Sequence, residues 1–369
     1  MDFPLVGKWN LRVFRGYLED NMTLSGELTG NIVITGKEAL EELHRTSFYG
    51  RSKGDSLELS LTESAYLIYM KKITVKRAGE ELDFEQFFIR ASNIVKNFEL
   101  FYIVYKDLRG RGYYVQPSDI GFRVYPRGGH PGKGPAEFLV FVTSERIPLS
   151  QSILKKHLDN SDNKKKRLIL AIVDEESDIT HYEAKKLIPS GSSVLRPKTL
   201  HSVVTLLEDR CMVWEPDGSN MLHKEGFFGK PMDEGHLQLS LVESCYLMNN
   251  GIIEIEKRNH EKLSFAEFSD IAASIESDFM IKYKVYEKLR KSGLVPKTGF
   301  KFGTHFRVYR SFDSISHSDY LVHAISNDHV FSLQQVSRAV RLANSVKKEM
   351  IYAVVSDRID FMMIGRVRL

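Results

Sequence analysis

The chain has 369 residues, enough for roughly two to four domains that each bury a core of their own. Hydrophobic content of 42% and charged content of 27% are ordinary for a globular protein, which excludes a disordered or fibrous chain. No apolar run reaches the roughly 18 residues of a membrane span, the start lacks a signal-peptide pattern, and a net charge of +4 permits an anionic partner without requiring one.

Taken in chain order, apolar runs at residues 30–36 (GNIVITG) and 57–61 (LELSL) predict strands of a small α+β domain ending near residue 92. Residues 84–98 carry apolar side chains at three- and four-residue spacing and predict a helix. A second helix, 101–109, is closed by Gly112. Strands at 121–125, 138–142 and 166–174 complete a trailing domain over 93–186. Residues 186–198 (KLIPSGSSVLRPK) gather proline, glycine and serine and form the expected linker, taken as 187–198 between domains. A second leading domain then spans 199–272, and a second trailing domain 273–369. Its helices are expected at 265–279 and 281–290, the latter closed by Gly293. Its strands are expected at 305–309, 320–324 and 349–355, with a helix at 333–346 before the last strand.

The second half therefore repeats the first. LELSLTESAYL at 57–67 and LQLSLVESCYL at 237–247 agree at eight of eleven positions, 180 residues apart. Tyr105 answers Tyr286, FRVY at 122–125 answers FRVY at 306–309, and Lys166 answers Lys348, with offsets between 179 and 184. Solenoid repeats run roughly 20–50 residues, so this period marks a duplicated domain pair. The fold class expected is α+β or mixed α/β in tandem. Cys211 and Cys245 have no counterparts in the first copy. Two cysteines make no disulfide framework or zinc spacing, so buried reduced thiols of a cytoplasmic protein are expected.

Chemistry concentrates in the second copy. Strand alternation turns His305, Arg307 and Tyr309 to one side and Phe306 and Val308 to the other. A strand tyrosine is ordinarily a core aromatic, but this one shares its side with a histidine and an arginine. His317 lies in a polar loop, where a histidine is by default merely solvated. Arg341 and Lys348, seven residues apart on the expected helix, would share one face. A basic helix face is usually only solvated.

Together these groups suit RNA cleavage, because the 2′-hydroxyl beside the scissile phosphate is a built-in nucleophile. A base must take its proton, an acid must protonate the leaving 5′-oxygen, and a cation must meet the charge on phosphorus. Histidine can act as the acid and lysine as a compact cation. Ionising a tyrosine at pH 7 costs roughly 4 kcal/mol, so a tyrosine base requires a cationic pocket such as Arg307 and Lys348 would supply. No cluster of metal ligands stands out, and no cofactor is expected.

At these residues the chain resembles the archaeal tRNA-splicing endonucleases of the two-repeat homodimeric type. The runs that carry the resemblance are KTGFKFGTHFRVY (297–309), HSDYLVH (317–323) and VRLANSVKK (340–348), and it extends over both copies. It implies an enzyme that cuts precursor tRNA at both intron boundaries in a bulge–helix–bulge motif. Cleavage would leave a 2′,3′-cyclic phosphate and a 5′-hydroxyl without metal, with Tyr309 as base, His317 as acid and Lys348 as cation. It further implies that two arginines from facing subunits grip a bulged base: Arg341 and, near the partner's C-terminus, Arg366, with Arg368 as the alternative. The first copy keeps Tyr125 and Lys166, but Pro135 stands at the position of His317 and His130 is displaced; this copy is read as inactive. Its acidic turn Asp174, Glu175, Glu176, Asp178 is implied to dock a second chain, giving a two-fold homodimer with two active sites. A non-catalytic RNA-binding subunit, and a metal-dependent nuclease using Asp174, Glu175 and Asp178, are the competing readings.

Overall fold

A computed structural model describes residues 24–193, 202–311 and 317–369. The N-terminal stretch, residues 194–201 of the linker region and 312–316 of the loop before His317 lie outside the described residues. The described chain divides into two compact units, one of residues 24–117 and 127–134, the other of residues 118–126 and 135–369.

In the smaller unit, six strands lie in the order Arg51–Lys53, Ser56–Ser60, Ile32–Thr35, Leu24–Thr29, Ile73–Arg77, Glu80–Leu82. Their alternating burial matches one face packed and one face wet. The helix Leu61–Tyr69 starts at a capping box, in which Ser60 and Glu63 satisfy each other's backbone N–H groups. The helices expected over 84–98 and 101–109 occur as Phe84–Ile94 and Phe98–Gly110, their junction falling a few residues earlier, where Asn97 takes a left-handed conformation (φ 57°). The second copy breaks at the same place, into Phe265–Ile275 and Phe279–Lys291.

The larger unit is built on one long sheet. The first copy supplies β1 (Gly121–Val124), β2 (Phe138–Ser144), β3 (Arg167–Val173) and β4 (Ile179–Leu187). The second supplies β5 (Val295–Thr298), β6 (Phe306–Tyr309), β7 (Tyr320–Ser326), β8 (Glu349–Val355) and β9 (Ile359–Val367). Their spatial order is β5-β6-β7-β8-β9-β4-β3-β2-β1, so the copies meet at their last strands. β4 and β9 pair antiparallel from His181–Val367 to Leu187–Phe361, which satisfies backbone groups that each copy alone would leave on an open edge. Within each copy two neighbouring strands run parallel, β2 with β3 and β7 with β8. A parallel pair needs a crossover, supplied by α1 (Gln151–Asn163) and α2 (Leu333–Ser345).

Both crossover helices bury their apolar faces in one shared core. Leu154 and Leu158 of α1 join Val336 and Val340 of α2, Tyr182 of β4 and Ile364 of β9. The opposite face of the second copy's sheet continues into its leading domain, where Phe228, Leu247, Phe268, Tyr286, Phe306 and Ile351 belong to one core. Strand β4 takes in Lys186 and Leu187, so the connection between copies leaves the sheet only at Ile188. It then docks through backbone bonds from Gly191, Ser192 and Ser193 to Ser292, Arg310 and Gly293. A side chain at position 191 would lie 2.2 Å from the Gly293 carbonyl oxygen, so only glycine allows this approach. Cys211 and Cys245 are buried free thiols, and burial pushes them up to about 12 and about 11, which leaves them unreactive.

Candidate active site

Three adjacent strands bring the second copy's candidate residues to one end of the sheet. The Asp319 N–H donates to the Val308 carbonyl at 2.9 Å, and the Glu349 N–H donates to the Asp319 carbonyl at 3.1 Å. Val308, Asp319 and Glu349 thus form a row across β6, the start of β7 and β8. Tyr309 follows the first of them, His317 precedes the second by two positions, and Lys348 immediately precedes the third. Neighbouring strands lie about 4.8 Å apart, so the three backbones enter one region.

Tyr309 is buried, while His317 is exposed in the loop. The Lys348 ammonium donates to the Ser318 carbonyl at 2.7 Å, which ties it to the residue after His317. Burial draws this ammonium below the usual lysine value; Asp319 opposes the shift, and Lys301 and Arg307 add to it. The Arg307 guanidinium lies 5.9 Å from the centre of the Tyr309 ring, and its buried Nε has no hydrogen-bond partner among the described residues. Phe306 and Val308 point into the core, as strand alternation requires.

One expectation is corrected. Lys348 does not lie on the helix that carries Arg341. α2 ends at Ser345, Lys347 takes φ 55°, and the Lys348 N–H returns to the Ala343 carbonyl at 2.9 Å. A left-handed residue closes the helix C-terminus and redirects the chain into β8, so the two cations do not share a helix face. The first copy turns identically, with Lys165 at φ 52° and the Lys166 N–H on the Ser161 carbonyl.

Arg341 is exposed on α2 and donates to Ser337 Oγ at 3.4 Å; Ser337 Oγ in turn accepts from the Tyr182 hydroxyl at 2.9 Å. Arg366 is exposed on β9, opposite Tyr182 in the register, and Arg368 lies exposed just beyond that strand. In the acidic turn, Asp174 is internal to the turn itself, its Oδ1 accepting the N–H groups of Glu176 and Asp178 at 3.0 and 2.9 Å. Glu175 pairs with Arg146. Asp174, Glu175 and Asp178, together with Arg338 and Arg341, line a polar cavity of about 390 Å³. Among the described residues no group of three or more His, Cys, Asp or Glu side chains could hold a metal ion. In the smaller unit the His130 ring stacks on Phe48 at 4.8 Å, and its Nδ1 accepts the Gly132 N–H.

Two pairings of titratable side chains have no counterpart among the sequence expectations. Glu243, 9% exposed, and Lys297, 14% exposed, form an ion pair of 2.9 Å between the second leading domain and β5. Lys297 also donates to the carbonyls of Phe227 and Gly229. Ser240 and Glu243 form a capping box repeated from Ser60 and Glu63, and in the second copy Lys297 meets the charge of the buried carboxylate. The second is a stack of His305 on His323, ring centres 4.1 Å apart, with His305 Nε2 facing Asp278 at 3.1 Å.

Fold and site define a tandem duplication in which each copy is a leading α+β domain followed by a trailing mixed α/β domain. Two family descriptions match: tRNA intron endonuclease, N-terminal domain, at residues 24–88 and 204–269, and tRNA intron endonuclease, catalytic C-terminal domain, at 98–181 and 279–361. Similar proteins named tRNA-splicing endonuclease include one from Methanosarcina acetivorans, 50% identical over 93% of this chain and 99% of its own length. One from Methanosarcina mazei is 49% identical over 94% of this chain and 99% of its own length. A third, from Halobacterium salinarum, is 35% identical over 91% of this chain and 96% of its own length. The chain belongs to the tRNA intron endonuclease family. Among the described residues no helix is long and apolar enough to cross a membrane.

Proposed function

We propose that this protein is a tRNA-splicing endonuclease that cuts precursor tRNA at both intron boundaries within a bulge–helix–bulge motif. The observation that carries the reading is the backbone row Val308–Asp319–Glu349, which supports a common destination for Tyr309, His317 and Lys348. Tyr309, beside the Arg307 guanidinium, takes the proton of the 2′-hydroxyl. The 2′-oxygen attacks phosphorus, the bond to the 5′-oxygen breaks, and His317 gives that oxygen its proton. Lys348 meets the charge that develops on the phosphoryl oxygens. The products are a 2′,3′-cyclic phosphate and a 5′-hydroxyl, and no metal takes part.

The working form is a cytoplasmic homodimer. The acidic turn around Glu175, Glu176 and Asp178 docks on the partner, and Arg341 with the partner's Arg366 sandwiches a bulged base. Exposure of Arg341 and Arg366 agrees with that use, since a guanidinium must be free to stack. Incubation of a bulged precursor with the protein and EDTA, followed by analysis of the RNA ends, tests the reading. Cleavage to cyclic-phosphate ends is expected. Cleavage that requires a divalent ion, or binding without cleavage, overturns it.

A further inference from the structure

The first copy has lost the histidine position but not the cations around it. Lys166 Nζ donates to the Ala136 carbonyl at 2.6 Å, as Lys348 does to Ser318 at 2.7 Å, and both acceptors are 182 residues apart in matching positions. Arg123 repeats Arg307: each sits in the FRVY strand, and each has a buried Nε with no hydrogen-bond partner among the described residues. Tyr125 is buried like Tyr309.

The charge balance differs between the copies in a telling way. In the second copy Asp319 partly offsets Lys348. Its counterpart Glu137 is held 3.1 Å from Arg167, whose guanidinium also binds Glu183 at 2.8 and 2.9 Å. The charges acting on Lys166 are those of Arg123 and Lys164, and burial together with them lowers the ammonium below its usual value. Two half-buried cations that act on each other, with Glu137 engaged by Arg167, are stabilised by an anion, and a guanidinium whose Nε has no partner among the described residues fits phosphate oxygens.

We infer that Arg123 and Lys166 form a second, non-cutting phosphate site, which holds a backbone phosphodiester of the RNA that the second copy cleaves. Pro135 in place of the acid removes the proton donor that cleavage needs, while leaving the oxyanion cradle in place. The inference rests on the RNA-cleaving reading above. The same chemistry would accept free inorganic phosphate, and the test separates the two.

The full-length chain is titrated with a bulged precursor carrying 2′-deoxy residues at both scission points, across a range of salt. Lys166→Met should weaken binding about tenfold and lower the salt slope by about one, as for a lost phosphate contact. Lys166→Arg keeps the charge and should restore most of the affinity; Arg123→Gln provides an independent variant should Lys166→Met not fold. Unchanged RNA affinity in a folded Lys166→Met or Arg123→Gln protein overturns the site. So does a variant that loses only stabilisation by inorganic phosphate, which would mark a free-anion site. Cleavage of the all-ribose precursor by the unaltered protein is measured in parallel: its absence sinks the catalytic reading, whereas cleavage with unaltered variant binding sinks only this one.

Discussion

Lys348 and Ser318 are joined by a hydrogen bond of 2.7 Å from the ammonium to the backbone carbonyl. The lysine is therefore aimed by the loop that carries His317, not by a helix. Arginine has a planar fork in place of a point donor and cannot reproduce that contact. Lys348→Arg and Lys348→Ala are both expected to slow single-turnover cleavage by about 10²–10³-fold, the scale of a lost oxyanion donor. Full activity in Lys348→Arg would show that charge alone suffices.

His317 is exposed and away from the core, so His317→Ala should leave thermal melting nearly unchanged while cleavage falls by about 10²–10⁴-fold. The loss should be the same with EDTA and with Mg²⁺. Melting curves and rates on one preparation decide the matter; rates near those of the unaltered protein dismiss His317 as the acid.

Arg341→Ala and Arg366→Ala should each weaken binding of a non-cleavable bulged RNA by about 3–30-fold, the range of one cation–π contact. Neither side chain fills the core, so stability should hold. A titration in which Arg366→Ala is silent and Arg368→Ala is not would move the second clamp residue to Arg368.

The Glu243–Lys297 pair is a stability element between domains. Burial opposes ionisation of Glu243, but Lys297 and the N–H groups of Ser240 and Gly229 prevail and hold its carboxyl below the usual range. Lys297→Met leaves a buried carboxylate uncompensated and should cost about 3–5 kcal/mol. Adding Glu243→Gln should recover a substantial part of the lost melting temperature. If the double variant is as unstable as the single one, packing rather than charge explains the effect.

His305 and His323 give a distinct acid signature. Burial, His323 and Lys282 bring His305 down to about 4, against the weaker pull of Asp278; burial and then His329 lower His323. His305 is neutral in the folded chain near pH 6, His323 is displaced in the same direction, and the unfolded chain binds protons first. The stabilisation linked to neutral His305 is present above about pH 6.5 and is lost as pH falls toward 4. Melting temperature should drop over that window, less steeply in His305→Gln. Equal slopes for both proteins would remove His305 from the account.

Legibility followed the range of the interactions. The strand at 306–309 was readable because core and polar side chains alternate; the junction between the two helices, expected near residues 99–100, lies at 95–97, because the left-handed conformation of Asn97 leaves no mark on apolar spacing. Lys348 was misplaced onto a helix for a related reason: the run to Val346 is helical in pattern, and only the need to enter a parallel strand stops it at Ser345. The Ser240–Glu243 spacing carries a capping signal that was not read, and nothing in it points to the partner of Glu243, which lies 54 residues onward.

Duplication, residue types at the strand ends and the replacement of His317 by Pro135 in the first copy were determined by the order of amino acids, since identity and short-range periodicity need no folding to be seen. The joining of β4 to β9, the seating of Lys348 on a carbonyl and the pairing of buried charges were decided by tertiary structure. Those depend on which unsatisfied backbone edges and desolvated ions meet in space, and distances along the chain do not encode that.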